Sequence, residues 1–299
     1  NLGPKFALNG ANNGLQVATR DVSDPAIWSQ SSGFTTLAHI NNDRASDISD
    51  AGIIAGYGPS GGGPYRGKIW NSLGGSASVI PAPTSLDGDN YANAIGGDFV
   101  VGTGLDTSIG TYFGWRHVIS TNTTIRLDQP AGASYASARS VNANGTAAGG
   151  ANMLSSTRAV VWDDTGSVTI LPSSGYASAL DINDAGTIVG VAENGGTGNN
   201  NAAMWSGTSS SPTIIAIGQF AQAQSVNAFD QVVGYRNAGG TDQAFIWDAA
   251  NGFRHLSSIT SGAGAYDLER AMFISDSGEI LVQAYAGGQD RVVLLTPTN

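Results

Sequence analysis

A degenerate repeat of about 43 residues runs along the whole chain and constrains its fold more than any other feature. The clearest copy is ASALDINDAGTIVG (177–190). Its two apolar runs, separated by an Asn-Asp-Ala-Gly turn, predict two antiparallel strands joined by a tight turn. Six other copies match this pattern less closely and lie at 44–56, 137–150, 223–234, 91–102, 270–282 and 6–18.

A short apolar strand ending in tryptophan follows the copies by about 15 to 20 residues. Six copies have this strand, which accounts for all six tryptophans, and the seventh has Leu295 at the corresponding place. A further apolar strand, such as VTIL (168–171), completes the unit. The tryptophan strands are AIW (26–28), KIW (68–70), FGW (113–115), VVW (160–162), AMW (203–205) and FIW (245–247).

Four short strands at this period are typical of β-propeller blades. We therefore predict an all-β fold, a seven-bladed β-propeller of four-stranded blades that forms a single domain over residues 1–299; six or eight blades are the alternatives. Only three residues follow RVVLLT (291–296), so blade seven is either incomplete or closed by the N-terminus, unless the working chain is longer. The predicted blades are 6–37, 44–80, 91–127, 137–171, 177–217, 222–256 and 270–299.

Composition excludes several partners. The formal net charge of −10 argues against nucleic acid and gives no reason to expect an anionic membrane surface. No apolar run reaches the roughly 18 residues needed to span a bilayer. Without cysteine, the chain has no disulfides or thiolate metal sites. It begins at Asn1 without Met, as a chain does after removal of a signal peptide or a tag, so we expect a secreted or cell-surface monomer.

The turn and tryptophan strands also resemble a known family. The INDAG turn (182–186) and QAFIW (243–247) resemble the extracellular HAF repeat, named for a His-Ala-Phe tripeptide before the tryptophan strand. Gln243 stands here where the family has His. The resemblance covers nearly the whole chain and implies a propeller that is secreted or displayed at the surface. It carries no accepted catalytic residues, so it implies no chemistry.

Comparing the repeats at one position locates a candidate site. In a propeller, the loops between strands two and three and between blades open on one face, where ligands usually bind. Before their first strands, blades four to six read Tyr-Ala-Ser, Tyr-Ala-Ser and Phe-Ala-Gln (135–137, 176–178, 220–222). Blades seven, one, two and three depart from this pattern and would be neighbours in a closed ring. The departing residues are Lys5, Asp43, Arg44, Asn90, Tyr91, Glu269 and Arg270. Alternatively, terminal blades are irregular and these charges pair as surface ions.

The variable loops of blades one to three add further candidates. Tyrosine beside arginine, aspartate and asparagine suits a sugar ligand, because rings cover pyranose faces and polar groups bind hydroxyls or carboxylates. We also consider His39 as a general base, against an ordinary loop histidine. The added substrate-binding candidates are Asp89, Tyr65, Arg66, Tyr112 and Arg20.

No cofactor is predicted. The run DGDN (87–90) is loosely calcium-like, but turn formation explains it adequately. The three histidines lie in different blades and do not form a metal site by their spacing.

Two classes of function fit these residues. The first is an enzyme acting on an extracellular, acidic polysaccharide, a class that the unequal blades favour. A polysaccharide lyase would neutralise a uronate with Arg44, Arg270 or Lys5, and Tyr91 or His39 would move the proton. A glycoside hydrolase would use Asp43, Asp89 or Glu269 as acid and base. The second class is a non-catalytic glycan-binding or matrix-associated module that uses the same site.

Overall fold

The computed structural model describes residues 9–21, 24–40, 42–193, 195, 198–218 and 220–298, without the side chains of Arg20 and Asp21. The chain divides into two compact units. The N-terminal unit extends to Ser155 and includes Val160–Ile170; the C-terminal unit contains Ser156–Ala159 and the chain from Leu171 onward. Regular structure in the described ranges is β-strand apart from one short helix, Leu256–Ile259. No described helix is long and apolar enough for a membrane crossing.

The N-terminal unit consists of short antiparallel strands that pair in chain order. The sheets β9–β12 and β13–β16 join through a parallel bridge between Tyr112 and Tyr135. Only Val160–Trp162 of β15 belongs to this unit. The strands are β1 (Gly10–Ala11), β2 (Val17–Asp21), β3 (Asp24–Ser29), β4 (Gly33–Thr36), β5 (Arg44–Ile48), β6 (Ile54–Pro59), β7 (Tyr65–Trp70), β8 (Ser78–Val79), β9 (Asn90–Gly96), β10 (Phe99–Asp106), β11 (Thr111–Val118), β12 (Thr123–Arg126), β13 (Tyr135–Val141), β14 (Ala147–Asn152), β15 (Thr157–Trp162) and β16 (Val168–Ile170).

The C-terminal unit repeats the arrangement. Two antiparallel groups of four strands join through a parallel bridge between Asn200 and Phe220, and a sheet of three strands follows. The strands are β17 (Ala177–Ile182), β18 (Ile188–Glu193), β19 (Asn200–Trp205), β20 (Thr213–Ala216), β21 (Phe220–Val226), β22 (Val232–Ala238), β23 (Thr241–Asp248), β24 (Gly252–His255), β25 (Asp267–Ile274), β26 (Ile280–Ala286) and β27 (Gln289–Leu295).

The predicted turn forms as the sequence indicates. In the clearest copy, Asn183 receives a backbone hydrogen bond from Gly186 (3.0 Å), and its side-chain Oδ1 accepts the amide of Thr187 (2.9 Å). Gly186 has a φ of +87°, a conformation that a residue with a Cβ rarely adopts. The Asn and the Gly of the motif therefore contribute differently to the turn. The Asn side chain accepts a hydrogen bond, and the Gly adopts the left-handed backbone conformation that the turn requires.

The same turn links some neighbouring copies within a unit. In the C-terminal unit, the side-chain amide of Asn183 donates to the carbonyl of Asn227 (2.9 Å), whose own amide donates to the carbonyl of Ser275 (3.0 Å). In the N-terminal unit, Asn12 donates in the same way to Ser49 (2.9 Å). The polar turn residues thus join neighbouring sheets.

Apolar side chains from facing sheets form the core in each unit. One cluster in the N-terminal unit joins Ile69 of β7 to Val100 and Trp115 of β10 and β11. A cluster in the C-terminal unit joins Val189 of β18 to Phe245 of β23. Both faces of a sheet are buried in this arrangement, which explains the near-continuous apolar runs of the second and third strands.

The tryptophan strand has a defined partner in the second strand. Trp70 pairs with Ile54 in the sheet register, and Leu295 pairs in the same way with Ile280. The prediction that Leu295 takes the tryptophan position is therefore confirmed. The indole of Trp205, which is fully buried, donates to the carbonyl of Pro172 (3.0 Å).

The third copy corrects the predicted register. There the equivalent of Ile54 is Val100, which pairs with His117, whereas Trp115 pairs with Gly102 two residues further on. The prediction that FGW (113–115) carries the repeat tryptophan is therefore wrong by two residues. His117 occupies that position, is 2% exposed, and contacts the Thr124 hydroxyl (2.9 Å). Burial lowers the pKa of His117.

The last sheet, β25–β27, has three strands among the described residues. The predicted closure by the N-terminus concerns residues 1–5, which lie outside the described part of the chain.

Candidate functional site

Three tyrosines meet at one end of the sheets β5–β8 and β9–β12. Tyr57 lies near the end of β6, Tyr65 begins β7, and Tyr91 is the second residue of β9. The ring of Tyr91 lies 5.0 Å from that of Tyr57, nearly perpendicular to it, and 5.9 Å from that of Tyr65. Tyr57 and Tyr65 are 6.1 Å apart, and all three side chains are half-buried. We call these residues the tyrosine cluster.

Asp89 holds two members of the tyrosine cluster in place. Its Oδ1 accepts the backbone amide of Tyr65 (2.8 Å), and its Oδ2 accepts the hydroxyl of Tyr91 (3.0 Å). Burial raises the pKa of the Tyr91 phenol above its ordinary value of 10.0, and the hydrogen bond to the Asp89 carboxylate raises it further. Tyr91 is therefore a protonated hydrogen-bond donor at neutral pH.

Arg66 and Asn90 fix the loop that carries Asp89. The Arg66 guanidinium donates to the carbonyls of Asp87 (3.0 Å) and Gly88 (2.5 Å). Asn90 is 2% exposed, and its amide donates to the carbonyls of Leu86 and Gly88. Both side chains therefore bind backbone of their own unit.

A buried ion pair lies at the start of β5. Asp43 and Lys68 are almost fully buried, and the Nζ of Lys68 lies 2.5 Å from the Oδ1 of Asp43. The other carboxylate oxygen, Oδ2, accepts the backbone amide of Ile40 (3.1 Å). Both oxygens of Asp43 are thus occupied within the protein.

Arg44 follows directly and differs from its neighbours. It pairs with Tyr57 in the antiparallel register of β5 and β6, so the two side chains lie on the same face of the sheet. The Arg44 side chain is half-buried. Among the arginines whose side chains the structure describes, it is the one with no hydrogen bond, ion pair or ring contact to another group.

A second tyrosine pair continues along the same end of the N-terminal unit. Tyr112 begins β11 beside the first residue of β13, Tyr135, and their ring centroids are 5.7 Å apart. Both are half-buried. Aromatic groups therefore line this end of the unit from β6 to β13.

Glu269 and Arg270 belong to the C-terminal unit, where Arg270 has an internal partner. Its guanidinium binds Asp242 at 2.5 and 2.6 Å, and its Cζ lies 4.6 Å from the centre of the Tyr235 ring. Arg270 pairs with Gln283 across its sheet, which is the register position that Arg44 has opposite Tyr57. The arginine at this repeat position is thus neutralised in the C-terminal unit, whereas in the N-terminal unit it has no partner among the described side chains.

His39 also has internal contacts. Its Nδ1 lies 2.8 Å from the carbonyl of Leu37, and its Nε2 lies 3.2 Å from the Oδ1 of Asp24. Both ring nitrogens of His39 therefore lie against oxygen atoms of the protein. Lys5 lies outside the described residues, as does the side chain of Arg20.

The structure brings together most of the predicted candidates from blades two and three. Tyr65, Arg66, Asp89, Asn90 and Tyr91 form one connected group, and Arg44 lies beside it through Tyr57. The sequence analysis missed Tyr57 as a site residue and Lys68 as the partner of Asp43. Tyr57 could have been found, because it follows the repeat glycine, where the third and fifth copies have Thr103 and Val191.

Among the described residues, no group of three or more His, Cys, Asp or Glu side chains is placed to hold a metal ion. In the calcium-like run, the carboxylate of Asp87 accepts hydrogen bonds from the amide (2.9 Å) and hydroxyl (2.6 Å) of Thr107. These bonds account for both of its oxygens within the protein.

Comparison with known proteins establishes the fold. No protein-family model and no curated protein matches the chain. Solved structures do match. TolB from Acinetobacter baumannii is 14% identical with a TM-score of 0.51, covering 97% of this chain and 78% of its own. The β-propeller domain of the Trilobed protease from Pyrococcus furiosus is 10% identical (TM-score 0.53; 99% and 82% covered). Virginiamycin B lyase from Staphylococcus aureus is 9% identical (TM-score 0.57; 99% and 96% covered). The chain has an all-β, propeller-like fold.

Proposed function

We propose that this chain is a secreted, non-catalytic carbohydrate-binding module, a seven-bladed propeller of the HAF-repeat type whose tyrosine cluster contacts the sugar. The seven copies of the repeat and the four-stranded groups of the two units support the blade number. The sugar-binding role is argued from the side chains of the N-terminal unit.

The observation that carries the proposal is the fixed, half-buried tyrosine cluster. Tyrosine offers a large contact area at low entropic cost, because only two side-chain torsions must be fixed. Here packing between rings and the bonds of Asp89 restrict them further. An apolar ring face with a hydroxyl at its tip matches a sugar, which has C–H faces edged by hydroxyls.

Three of the groups that could catalyse a reaction, Tyr91, Asp43 and Asp89, have partners within the protein, which favours binding over the lyase or hydrolase. A tyrosine that abstracts a proton must ionise near the working pH, and the pKa of Tyr91 moves in the opposite direction. Asp43 is paired with Lys68 and buried, and both oxygens of Asp89 accept hydrogen bonds. Each oxygen of these two carboxylates therefore already has a partner within the protein.

The test is a panel of neutral and acidic soluble polysaccharides, examined by affinity gel electrophoresis and calorimetry. We expect retardation by at least one polymer, and about tenfold weaker binding by Tyr65→Ala, because loss of one ring contact is worth about 1 to 1.5 kcal/mol. Tyr176→Ala is the matched control, since Tyr176 is a half-buried tyrosine of the C-terminal unit, outside the cluster.

Cleavage is measured in the same incubations through new reducing ends and absorbance of unsaturated products. New ends or absorbance that Tyr91→Phe abolishes would overturn the non-catalytic assignment. Absence of retardation by every polymer would overturn the carbohydrate assignment itself. Equal weakening by Tyr65→Ala and Tyr176→Ala would remove the tyrosine cluster from the site.

A further inference from the structure

Within the described part of the chain, Arg44 has none of the partners that the other described arginines have. Each of the others donates to a carbonyl, a carboxylate or a side-chain amide, or interacts with another group of the protein. A half-buried guanidinium that gives up part of its hydration without forming hydrogen bonds is unfavourable. A ligand that accepts from it would remove that penalty.

The repeat supplies an internal comparison. Arg270 occupies the equivalent register position and is neutralised by Asp242, with two of its nitrogens on the same carboxylate oxygen. The position therefore accommodates an arginine that binds a carboxylate. In the N-terminal unit, no described carboxylate takes the place of Asp242.

The carboxylates nearest to Arg44 in the chain and in the tyrosine cluster have other partners. Asp43 is paired with Lys68 at 2.5 Å, so the two charges cancel locally. Asp89 accepts from Tyr65 and Tyr91. In a chain with a net charge of −10, Arg44 thus has no carboxylate partner among the described side chains.

We propose that Arg44 reads the carboxylate of a uronic acid, so that the sugar bound at the tyrosine cluster belongs to an acidic polysaccharide. This inference rests on the proposed carbohydrate-binding function. The guanidinium fork matches a planar carboxylate with two parallel hydrogen bonds, and Tyr57, on the same face of the sheet, covers the sugar ring to which that carboxylate is attached.

The experiment compares three polymers: polygalacturonate, the same polymer fully methyl-esterified, and a sulfated galactan. Calorimetry at low and moderate salt gives the affinity of the wild type, Arg44→Gln, Arg44→Lys and Arg291→Gln. Arg291 is the matched control, because it is half-buried and donates to Gln289 in the C-terminal unit. The thermal midpoint of each variant is measured alongside, so that a loss of folding is recognised.

We expect polygalacturonate to bind at least about tenfold more tightly than its ester, a difference of about 1.4 kcal/mol, because hydrogen bonds to a charged acceptor are stronger than those to a neutral one. Arg44→Gln should abolish that difference without weakening binding of the ester. Arg44→Lys should retain only part of that difference, because an ammonium cannot donate the two parallel hydrogen bonds of a guanidinium. Arg291→Gln should behave as the wild type.

Several results would overturn the inference while leaving carbohydrate binding intact. Equal affinity for polygalacturonate and its ester, or a preference for the acid that survives Arg44→Gln, would do so. Sulfated galactan bound as tightly as polygalacturonate would show that the residue reads charge and not a carboxylate. Failure of all three polymers, together with the neutral panel, would instead refute the proposed function.

Discussion

Replacing the buried Asp43–Lys68 pair with the apolar residues of another repeat tests how much the pair contributes to the stability of the fold, separately from any role in ligand binding. The register assigns equivalents in the other sheets: Ala136 and Val160 in the N-terminal unit, Ala177 and Ala203 in the C-terminal unit. These equivalents are fully or almost fully buried and carry no charge. The single variant Lys68→Val and the double variant Asp43→Ala/Lys68→Val therefore follow a template within this chain.

The magnitudes follow from burial. The side chains of Lys68 and Asp43 are 4% and 1% exposed, so Lys68→Val leaves a carboxylate without its countercharge and without water. Removing one partner of such a pair costs about 3–5 kcal/mol. The double variant removes both charges, and replacement of a buried pair by apolar groups is on average neutral or stabilising by about 1–4 kcal/mol. The two variants should therefore differ by at least about 3 kcal/mol, with the double variant the more stable.

Scanning calorimetry and chemical denaturation at neutral pH measure these differences. The single variant should melt on the order of 10 °C below the wild type. The reasoning is refuted if Lys68→Val loses less than about 1 kcal/mol, since the pair would then be hydrated like a surface pair. It is equally refuted if the double variant is as unstable as the single one.

Other parts of the structure give predictions of known direction. In chemical denaturation, Gly190→Ala should lower the free energy of unfolding by about 1–3 kcal/mol, because the added Cβ would lie 2.1 Å from the Ser178 carbonyl oxygen. Gly207→Ala should leave it unchanged, because the space around Gly207 is open. Trp205→Phe should lower the free energy of unfolding by about 1–3 kcal/mol, since the half-buried carbonyl of Pro172 loses its donor. The pKa of Tyr91 is higher in the folded protein than its ordinary value of 10.0. This difference contributes stability that is fully present below the ordinary pKa and is lost as the pH rises through the folded-state pKa. Tyr91→Phe should therefore make the loss of stability at alkaline pH less steep.

The repeat was readable from the sequence because its signals are local. The Asn-Asp-Ala-Gly turn and its flanking apolar runs act over a few residues, and the structure forms that turn through Asn183 and Gly186. The position of Leu295 follows from the same short-range pattern. Local signals of this kind need no knowledge of how sheets pack.

Register and pairing needed information that the repeat motif does not contain. Trp115 and His117 are both buried, and only the longer β10–β11 hairpin, which extends to Asp106 and Thr111, places His117 at the tryptophan position. Lys68 lies in the predicted tryptophan strand KIW, but that pattern does not show that its side chain pairs with a residue 25 positions earlier. Such contacts depend on the register between strands. A shift of two residues keeps the same side chains on the same face of the sheet, so the apolar pattern of the sequence does not distinguish the two registers.

A buried ion pair that we expect to stabilise the fold no more than apolar residues would needs a reason to be present, and its geometry supplies one. The Oδ2 of Asp43 holds the amide of Ile40, and its Oδ1 is fixed by Lys68, so the pair sets the turn from which Arg44 enters β5. The double variant Asp43→Ala/Lys68→Val should then be more stable and yet bind polygalacturonate more weakly than the wild type, with unchanged affinity for the methyl ester. Calorimetry on the folded variant separates these effects. Unchanged affinity for the acid would show that Arg44 is positioned without the pair, and would leave the pair with no role at the site.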